Sequence, residues 1–162
     1  VEIAKFGKTE ITWPTPDGFM AMQRKVKGKR LQLTCNLSTG VEMYLEVLDF
    51  TQEIPNTAKH RSAIAPNIIH SLDATHLRMV ARRLEELGLP MIFIHDSFAT
   101  HCNHRDTLYS IIVEEFVKLY TSEYLMTLFD YWTATYGVKL TLPPEQGDWE
   151  PSSLMNLERF FL

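Results

Sequence analysis

The clearest change between strand-forming and polar positions lies between residues 91 and 100, where the sequence reads MIFIHDSFAT. Four apolar residues that favour strands come first, a polar trio follows, and a second short strand-like run comes after it. This pattern predicts a strand, a tight turn and a second strand, with the carboxylate of Asp96 at the turn. Aspartate in that place is either a candidate binding group or an ordinary turn residue.

Three stretches place apolar residues at the 3.6-residue spacing of amphipathic helices. They are 66–87, which ends before Gly88, then 106–120, and then 123–136, which ends before Gly137. A glycine after the last periodic residue is a common signal for the end of a helix. The three apolar stripes are Leu77, Val80, Leu84 and Leu87; Leu108, Ile111, Ile112, Phe116 and Leu119; and Leu125, Leu128, Phe129 and Trp132.

The first third of the chain has an extended pattern. Residues 13–19, WPTPDGF, contain two prolines that forbid a helix and an Asp-Gly pair that favours a turn. Residues 31–50 alternate in part around a polar tip at 36–40, which predicts a hairpin. The polar stretch 51–65 predicts an irregular connection.

Together these elements indicate a mixed α+β fold in which a β-hairpin packs on helices. We divide the chain into 1–65, an extended segment with a hairpin; 66–141, helices with the hairpin of 91–100; and 142–162, a tail. The tail is expected to form a short helix at 152–158. It ends in Phe160, Phe161 and Leu162, and because these apolar residues need burial, we expect the tail to dock back on the preceding part.

The composition, 45% hydrophobic and 22% charged residues, is typical of a globular protein. The apolar runs are shorter than the roughly 20 residues that span a membrane, and the N-terminus lacks a signal pattern, so we expect an intracellular protein without membrane association. Cys35 and Cys102 are too far apart to indicate a disulfide framework or a paired-cysteine zinc site. The chain begins with Val1 rather than methionine, as a piece of a longer protein would.

Charge is distributed unevenly along the chain, whose net charge is −4. Residues 1–83 hold 12 Lys and Arg against 8 Asp and Glu, whereas residues 84–162 hold 4 against 12, so a polyanion would meet the first half. Five basic residues between 23 and 30 fit either phosphate contacts or a solvated surface. They are Arg24, Lys25, Lys27, Lys29 and Arg30.

Candidate polar groups also lie on the predicted helix of 66–87. His70 and Asp73 are three residues apart on one face, where they can belong to a site or hydrogen-bond a neighbouring loop. His101 and His104 have no third ligand nearby in the sequence, so we expect them to face solvent rather than bind a metal. Three arginines on the other helix faces are expected to be solvated: Arg78, Arg82 and Arg83.

Three motifs in this order resemble the C-terminal part of single-subunit, bacteriophage-type DNA-directed RNA polymerases: WPTPDGF at 13–19, APNIIHSLDATHL at 65–77 and IHDSFAT at 94–100. The ending Phe160-Phe161-Leu162 is also similar to that family's ending. Ser97 favours the RNA polymerase branch, because related DNA polymerases commonly have Glu directly after the His-Asp pair. The resemblance implies a right-hand polymerase whose palm carries the hairpin with Asp96.

The resemblance also implies residue roles and partners. Asp96 would be a ligand of two Mg²⁺ ions, with a second aspartate ligand upstream of Val1. His95 would lie near the 3′ end of the growing RNA, His70 would contact the minor groove at the active site, and Asp73 would give support. The implied partners are the DNA template and promoter, the RNA product, nucleoside triphosphates and the rest of the polymerase upstream.

Further expectations follow from the same resemblance. The segment 31–53 matches a hairpin that reads the promoter, with no single residue transferable. The first catalytic aspartate and the nucleotide-binding helix would lie outside this chain, which alone should not polymerise. The enzyme would act in the host cytoplasm if phage-encoded, and in a mitochondrion or plastid if organellar.

Two other functions remain open. One is a nucleic-acid-binding module that keeps the shape without the chemistry. The other is a metal-dependent phosphohydrolase of the HD type, but that His-Asp dipeptide normally lies on a helix, whereas the residues before Asp96 predict a strand.

Overall fold

The computed structural model describes residues 3, 9–36, 40, 42–94, 96–145 and 147–156. The chain forms two compact units: Val1–Thr12 with Met22–Ala65, and Trp13–Ala21 with Pro66–Leu162. The strands are β1 (Glu10–Pro14), β2 (Met20–Arg24), β3 (Val26–Asn36), β4 (Glu42–Pro55), β5 (Met91–Ile94) and β6 (Ser97–Thr100). The helices are α1 (Thr57–Glu86), α2 (Arg105–Tyr120) and α3 (Tyr124–Tyr136), with 3₁₀ turns at Cys102–His104 and Pro151–Asn156. The predicted mixed α+β class is confirmed.

The described strands form three two-stranded sheets, β1 with β2, β3 with β4, and β5 with β6. β3 and β4 form a long antiparallel ribbon in which Leu33 lies opposite Leu45, with an irregularity between Lys27 and Lys29. The predicted hairpin at 31–50 is therefore confirmed, and it is longer than expected. Side chains 32–35 and 42–48 are exposed, so the described arms of the ribbon project into solvent rather than cover a core.

The expectation of an irregular connection over 51–65 was wrong. β4 continues to Pro55, and α1 then runs for 30 residues with Pro66 inside it rather than in its first turn. The start is set by Asn56, whose Oδ1 accepts a hydrogen bond from the backbone N–H of Lys59 at 3.1 Å, as an N-cap residue does. A proline inside a helix lacks a donor and disfavours helix continuation, which is why the sequence pointed to a boundary there.

One core cluster joins the second unit's helices to its hairpin. Val80 and Leu84 of α1 are fully buried, and they pack with Leu108, Ile111 and Ile112 of α2, which are buried as well. Partly buried side chains packed against this cluster are Leu89, Met91, Phe93 and Phe98. The hairpin of β5 and β6 therefore packs on both helices, as expected. Leu87, predicted in the buried stripe, is instead 51% exposed, because it lies beyond the last helical residue in the turn that ends α1.

The tail contributes to a second cluster. Leu154, in the 3₁₀ turn Pro151–Asn156, is buried against Val113 and Val117 of α2. The predicted short helix at 152–158 is thus a 3₁₀ turn as far as it is described, and residues 157–162, including the expected docking of the final phenylalanines, lie outside the described residues.

The apolar stripe predicted for α3 is buried only in part. Leu128 is buried at 2% exposure, whereas Leu125, predicted on the same apolar stripe, is 55% exposed. The helix ends at Gly137, whose φ of 62° is a left-handed conformation that glycine adopts without steric cost. Within the described residues, every helix is too short or too polar to cross a membrane.

Candidate functional site

Asp96 lies at the turn of the hairpin, as the sequence predicted. Ile94 of β5 lies directly opposite Ser97 of β6, so Asp96 lies in the turn that joins the two strands, and its side chain is exposed. The hairpin has one face on the core and one in solvent, since Ile92 and Ile94 are 62% and 65% exposed. Its open end is closed by Thr100, whose hydroxyl donates to the carbonyl of Pro90 at 2.6 Å. His95 lies outside the described residues.

The hairpin rests on a buried histidine that the sequence analysis did not single out. His76 of α1 contacts Phe98 of β6 and Phe116 of α2 edge-on, at ring-centroid distances of 5.9 and 5.5 Å. Its Nε2 lies 2.9 Å from the carbonyl oxygen of Ile112, which requires a proton on that nitrogen. Burial lowers the pKa of His76, against the opposing effects of that hydrogen bond and of nearby carboxylates. A neutral imidazole therefore joins the hairpin to both helices.

His70 and Asp73 lie on α1, both exposed, within the two helical turns before His76. Because they face solvent, they are accessible to a ligand.

On the same helix, Leu72 lines a cavity of about 640 Å³ whose walls are mainly apolar. Tyr124 also lines this cavity, and its burial raises the pKa of the phenol to about 12, so it stays protonated at neutral pH.

The WPTPDGF segment is bound to α1 by side chains far apart in the chain. The indole N–H of Trp13 donates to the hydroxyl of Ser71 at 3.0 Å. The carboxylate of Asp17 accepts from Arg78 through both Nε and Nη2, the latter at 2.9 Å. The expectation that Arg78 is solvated was therefore wrong, because it has a nearly buried carboxylate as its partner.

This ion pair also governs the titration of both groups. The hydrogen bond from Arg78 holds the pKa of Asp17 far below its usual range, against the opposing effect of burial, and Thr15 adds a further hydrogen bond. The same contact raises the pKa of Arg78. Both groups are thus charged across the whole physiological pH range.

The five basic residues of the first unit have different surroundings. Arg24 on β2 forms ion pairs with Glu53 and with Glu10, the second at 3.5 Å. Lys29 lies opposite Asp49 on the ribbon, and hydrogen bonds from Thr51 lower the pKa of that aspartate. Lys27, Lys29 and Arg30 are exposed on β3, while Lys25 is half-buried. The charge of Arg24 is therefore already matched by two carboxylates.

Comparison with known proteins gives the family. The family model for DNA-dependent RNA polymerase matches residues 2–155. This chain belongs to that family. The resemblance stated on the three motifs is therefore confirmed.

Three relatives show the extent of the similarity, and all three are plant proteins. It is 33% identical over 156 residues to "DNA-directed RNA polymerase 2B, chloroplastic/mitochondrial" of Nicotiana tabacum, an alignment that covers 93% of this chain and 14% of the relative. It is 32% identical over 155 residues to "DNA-directed RNA polymerase 1, mitochondrial" of Arabidopsis thaliana, covering 93% and 15%. "DNA-directed RNA polymerase 1A" of N. tabacum is 31% identical over 157 residues, covering 93% and 94%. The chain thus spans about one seventh of the first two relatives.

Family membership and the position of Asp96 exclude the HD-type phosphohydrolase as an alternative. In this chain Asp96 lies between two strands, whereas the HD-type phosphohydrolases place the dipeptide on a helix. The side chain of His101 caps the 3₁₀ turn Cys102–His104 by accepting a hydrogen bond from the backbone N–H of Asn103. No three metal-ligating side chains come together anywhere in the described part of the chain.

Asp96 nevertheless suits one half of a magnesium site. It is an exposed carboxylate on the turn of the hairpin, and that turn is supported by a buried core. Magnesium is usually held by one or two carboxylates together with water and substrate phosphates, so a single protein ligand from this segment is chemically sufficient for a shared site.

Proposed function

We propose that this chain is the C-terminal part of the catalytic region of a DNA-dependent RNA polymerase, in which Asp96 serves template-directed nucleotidyl transfer. The observation that carries the proposal is the exposed Asp96 carboxylate on a hairpin whose opposite face packs on two helices. A ligand of this kind must be held rigidly, since a site that is 1 Å too loose loses much of its rate. The hairpin would be part of the palm of a right-hand polymerase.

Asp96 would hold Mg²⁺ together with a second aspartate from the segment before Val1. When bound, two such cations stabilise the attacking and leaving oxygens of the phosphoryl group. The contribution of this chain is to fix one anionic ligand in place. His95 would lie beside the 3′ end of the RNA, and the exposed His70 and Asp73 would face the template–product duplex, His70 at its minor groove and Asp73 in support.

The partners would be the DNA template and promoter, the RNA product, nucleoside triphosphates and the upstream part of the polymerase. Residues 1–65 would supply promoter recognition, 66–141 the palm elements, and 142–162 a tail docked on them. Two of the relatives carry chloroplastic or mitochondrial in their names, which favours an organelle over a phage-infected cell as the location.

The proposed activity is tested with the complete polymerase that contains this chain. We expect it to incorporate radiolabelled nucleotides only with a DNA template and a divalent cation, and to stop on addition of a chelator. The 162-residue chain alone should incorporate none, because it would supply only one of the carboxylate ligands. Template-independent incorporation, or activity of the isolated chain, would refute the proposal.

The ribbon of β3 and β4 is a candidate reader of promoter sequence, because a two-stranded ribbon can enter the DNA major groove and present side chains to base edges. Exchanging residues 34–46 for those of a relative with another promoter should shift promoter preference by about tenfold or more, since one well-placed contact discriminates by about 1–3 kcal/mol. Elongation on a preformed primer–template should keep its rate. Unchanged promoter choice in run-off transcription would exclude the ribbon from sequence reading.

A matched set of variants separates base reading from phosphate contact. Neutralising Lys25, Lys27, Lys29 and Arg30 to glutamine should weaken binding to all DNA sequences alike and flatten the dependence of affinity on salt. Arg24→Gln is the comparison, because Glu10 and Glu53 already match its charge, and it should change the salt dependence least.

A further inference from the structure

We propose that Asp17 is a positioning residue of the polymerase, which holds the turn of α1 that exposes His70 and Asp73. It does so by binding Thr75 and Arg78, which lie two to eight residues further along the helix. The inference rests on the proposed function. It gives the WPTPDGF motif a role in positioning α1, which is separate from metal binding by Asp96. Three features of the second unit support it: a closed charge network, a second anchor one turn away, and a rigid loop.

The charge network is closed around a nearly buried carboxylate. The side chain of Asp17 is 8% exposed, and Arg78 binds both of its oxygens in a forked arrangement. Thr75, which is fully buried, lies 3.2 Å from Asp17 Oδ1 and accepts a hydrogen bond from Arg78 Nη2 at 2.9 Å. Two fixed contact points orient a helix better than one, because a forked guanidinium–carboxylate pair fixes angle as well as distance.

The second anchor lies at the very turn that carries the exposed groups. Trp13, 2% exposed, donates to Ser71, which is the residue next to His70 in the chain. Ser71, Thr75 and Arg78 are spaced by four and three residues, so they share one face of α1. The loop thus binds one face of the helix, while His70 and Asp73 remain exposed beside that face.

The loop that presents Asp17 is itself ordered by hydrogen bonds. Gly18 has a φ of 86°, which a side chain would disfavour, and its N–H donates to the carbonyl of Thr15 at 2.8 Å. The N–H of Thr15 donates in turn to the carbonyl of Phe19 at 2.8 Å. Arg78 lies 5.0 Å from the centre of the Phe19 ring, a cation–π distance. Asp17 is therefore presented to the helix by a preformed turn.

The test uses the complete polymerase with Asp17→Asn. An amide keeps the shape but leaves Arg78 without its charge partner, so we expect nucleotide addition to fall by about tenfold to a hundredfold, as a displacement of about 1 Å does in other sites. Combined with His70→Ala, the same substitution should cause little further loss, because the two changes act through one element. Asp106→Asn, at an ion pair whose partners are both more than four-fifths exposed, is the matched control and should keep full activity.

Hydrogen exchange gives a readout independent of activity. Asp17→Asn should raise amide exchange in peptides covering residues 68–78 while leaving 106–120 protected. The proposal would be wrong if Asp17→Asn caused the same loss of activity with and without His70→Ala. Unchanged amide exchange in residues 68–78 would also overturn it. If His70→Ala alone leaves polymerisation intact, the role proposed for His70 fails, and the exchange result then decides by itself whether Asp17 holds the helix.

Discussion

The complete polymerase carrying Asp96→Asn is expected to keep its affinity for promoter DNA and to lose nucleotide addition by about a thousandfold or more. The substitution removes one negative charge from an exposed turn and changes little in the core, since Asp96 is outside both buried clusters. An amide is a poor replacement for an anionic ligand of Mg²⁺, and a lost cation contact is worth several kcal/mol of transition-state stabilisation.

Single-turnover extension of a primer–template would measure this loss, and a gel-shift assay would measure promoter binding. Asp106→Asn again supplies the control, because it is an exposed aspartate on the adjoining helix. Should Asp96→Asn retain activity within about tenfold, Asp96 would be an ordinary turn residue and the metal would have to be held elsewhere.

Leu84→Ala should lower the free energy of unfolding by about 2–5 kcal/mol, the range for leucine truncation in a well-packed core. Leu84 is fully buried in the cluster that joins α1, α2 and the hairpin, and the lost side chain would leave a cavity there. Urea unfolding of the 162-residue protein measures the difference.

Leu87→Ala is the matched control for that experiment, because it removes the same atoms three residues later from a side chain that is 51% exposed. Its cost should stay below about 1 kcal/mol. Equal costs for the two substitutions would mean that Leu84 is not packed in the core as described.

Local patterns in the sequence were enough for the hairpin and for the buried cluster of α1 and α2 on which it packs. The polar trio between two strand-forming runs in 91–100 placed Asp96 at a turn, and the 3.6-residue period placed Val80 and Leu84 on the buried side of α1. The helical period works because burial on one face of a helix repeats with the geometry of its own backbone.

The features that the sequence missed depend on contacts between distant segments. The pairing of Asp17 with Arg78 joins residues 61 positions apart, and nothing in either local pattern distinguishes it from two solvated charges. His76 likewise looks like any polar position until Phe98 and Phe116 are placed around it. The N-cap at Asn56 was a readable signal, but Pro66 led to a predicted helix start that is nine residues too late.

The pairing of Asp17 with Arg78 has a consequence for how this region can be recombined. A crossover anywhere between the two positions joins an Asp17 from one parent to whatever residue the other parent has at 78, and a nearly buried carboxylate without its charge partner is costly. Replacement of residues 34–46 alone leaves Asp17 and Arg78 from the same parent, so their pairing is kept. Chimaeric polymerases with a crossover in this region should therefore survive selection mainly when both parents have Asp at 17 and Arg at 78. Residues 17 and 78 should thus be exchanged together.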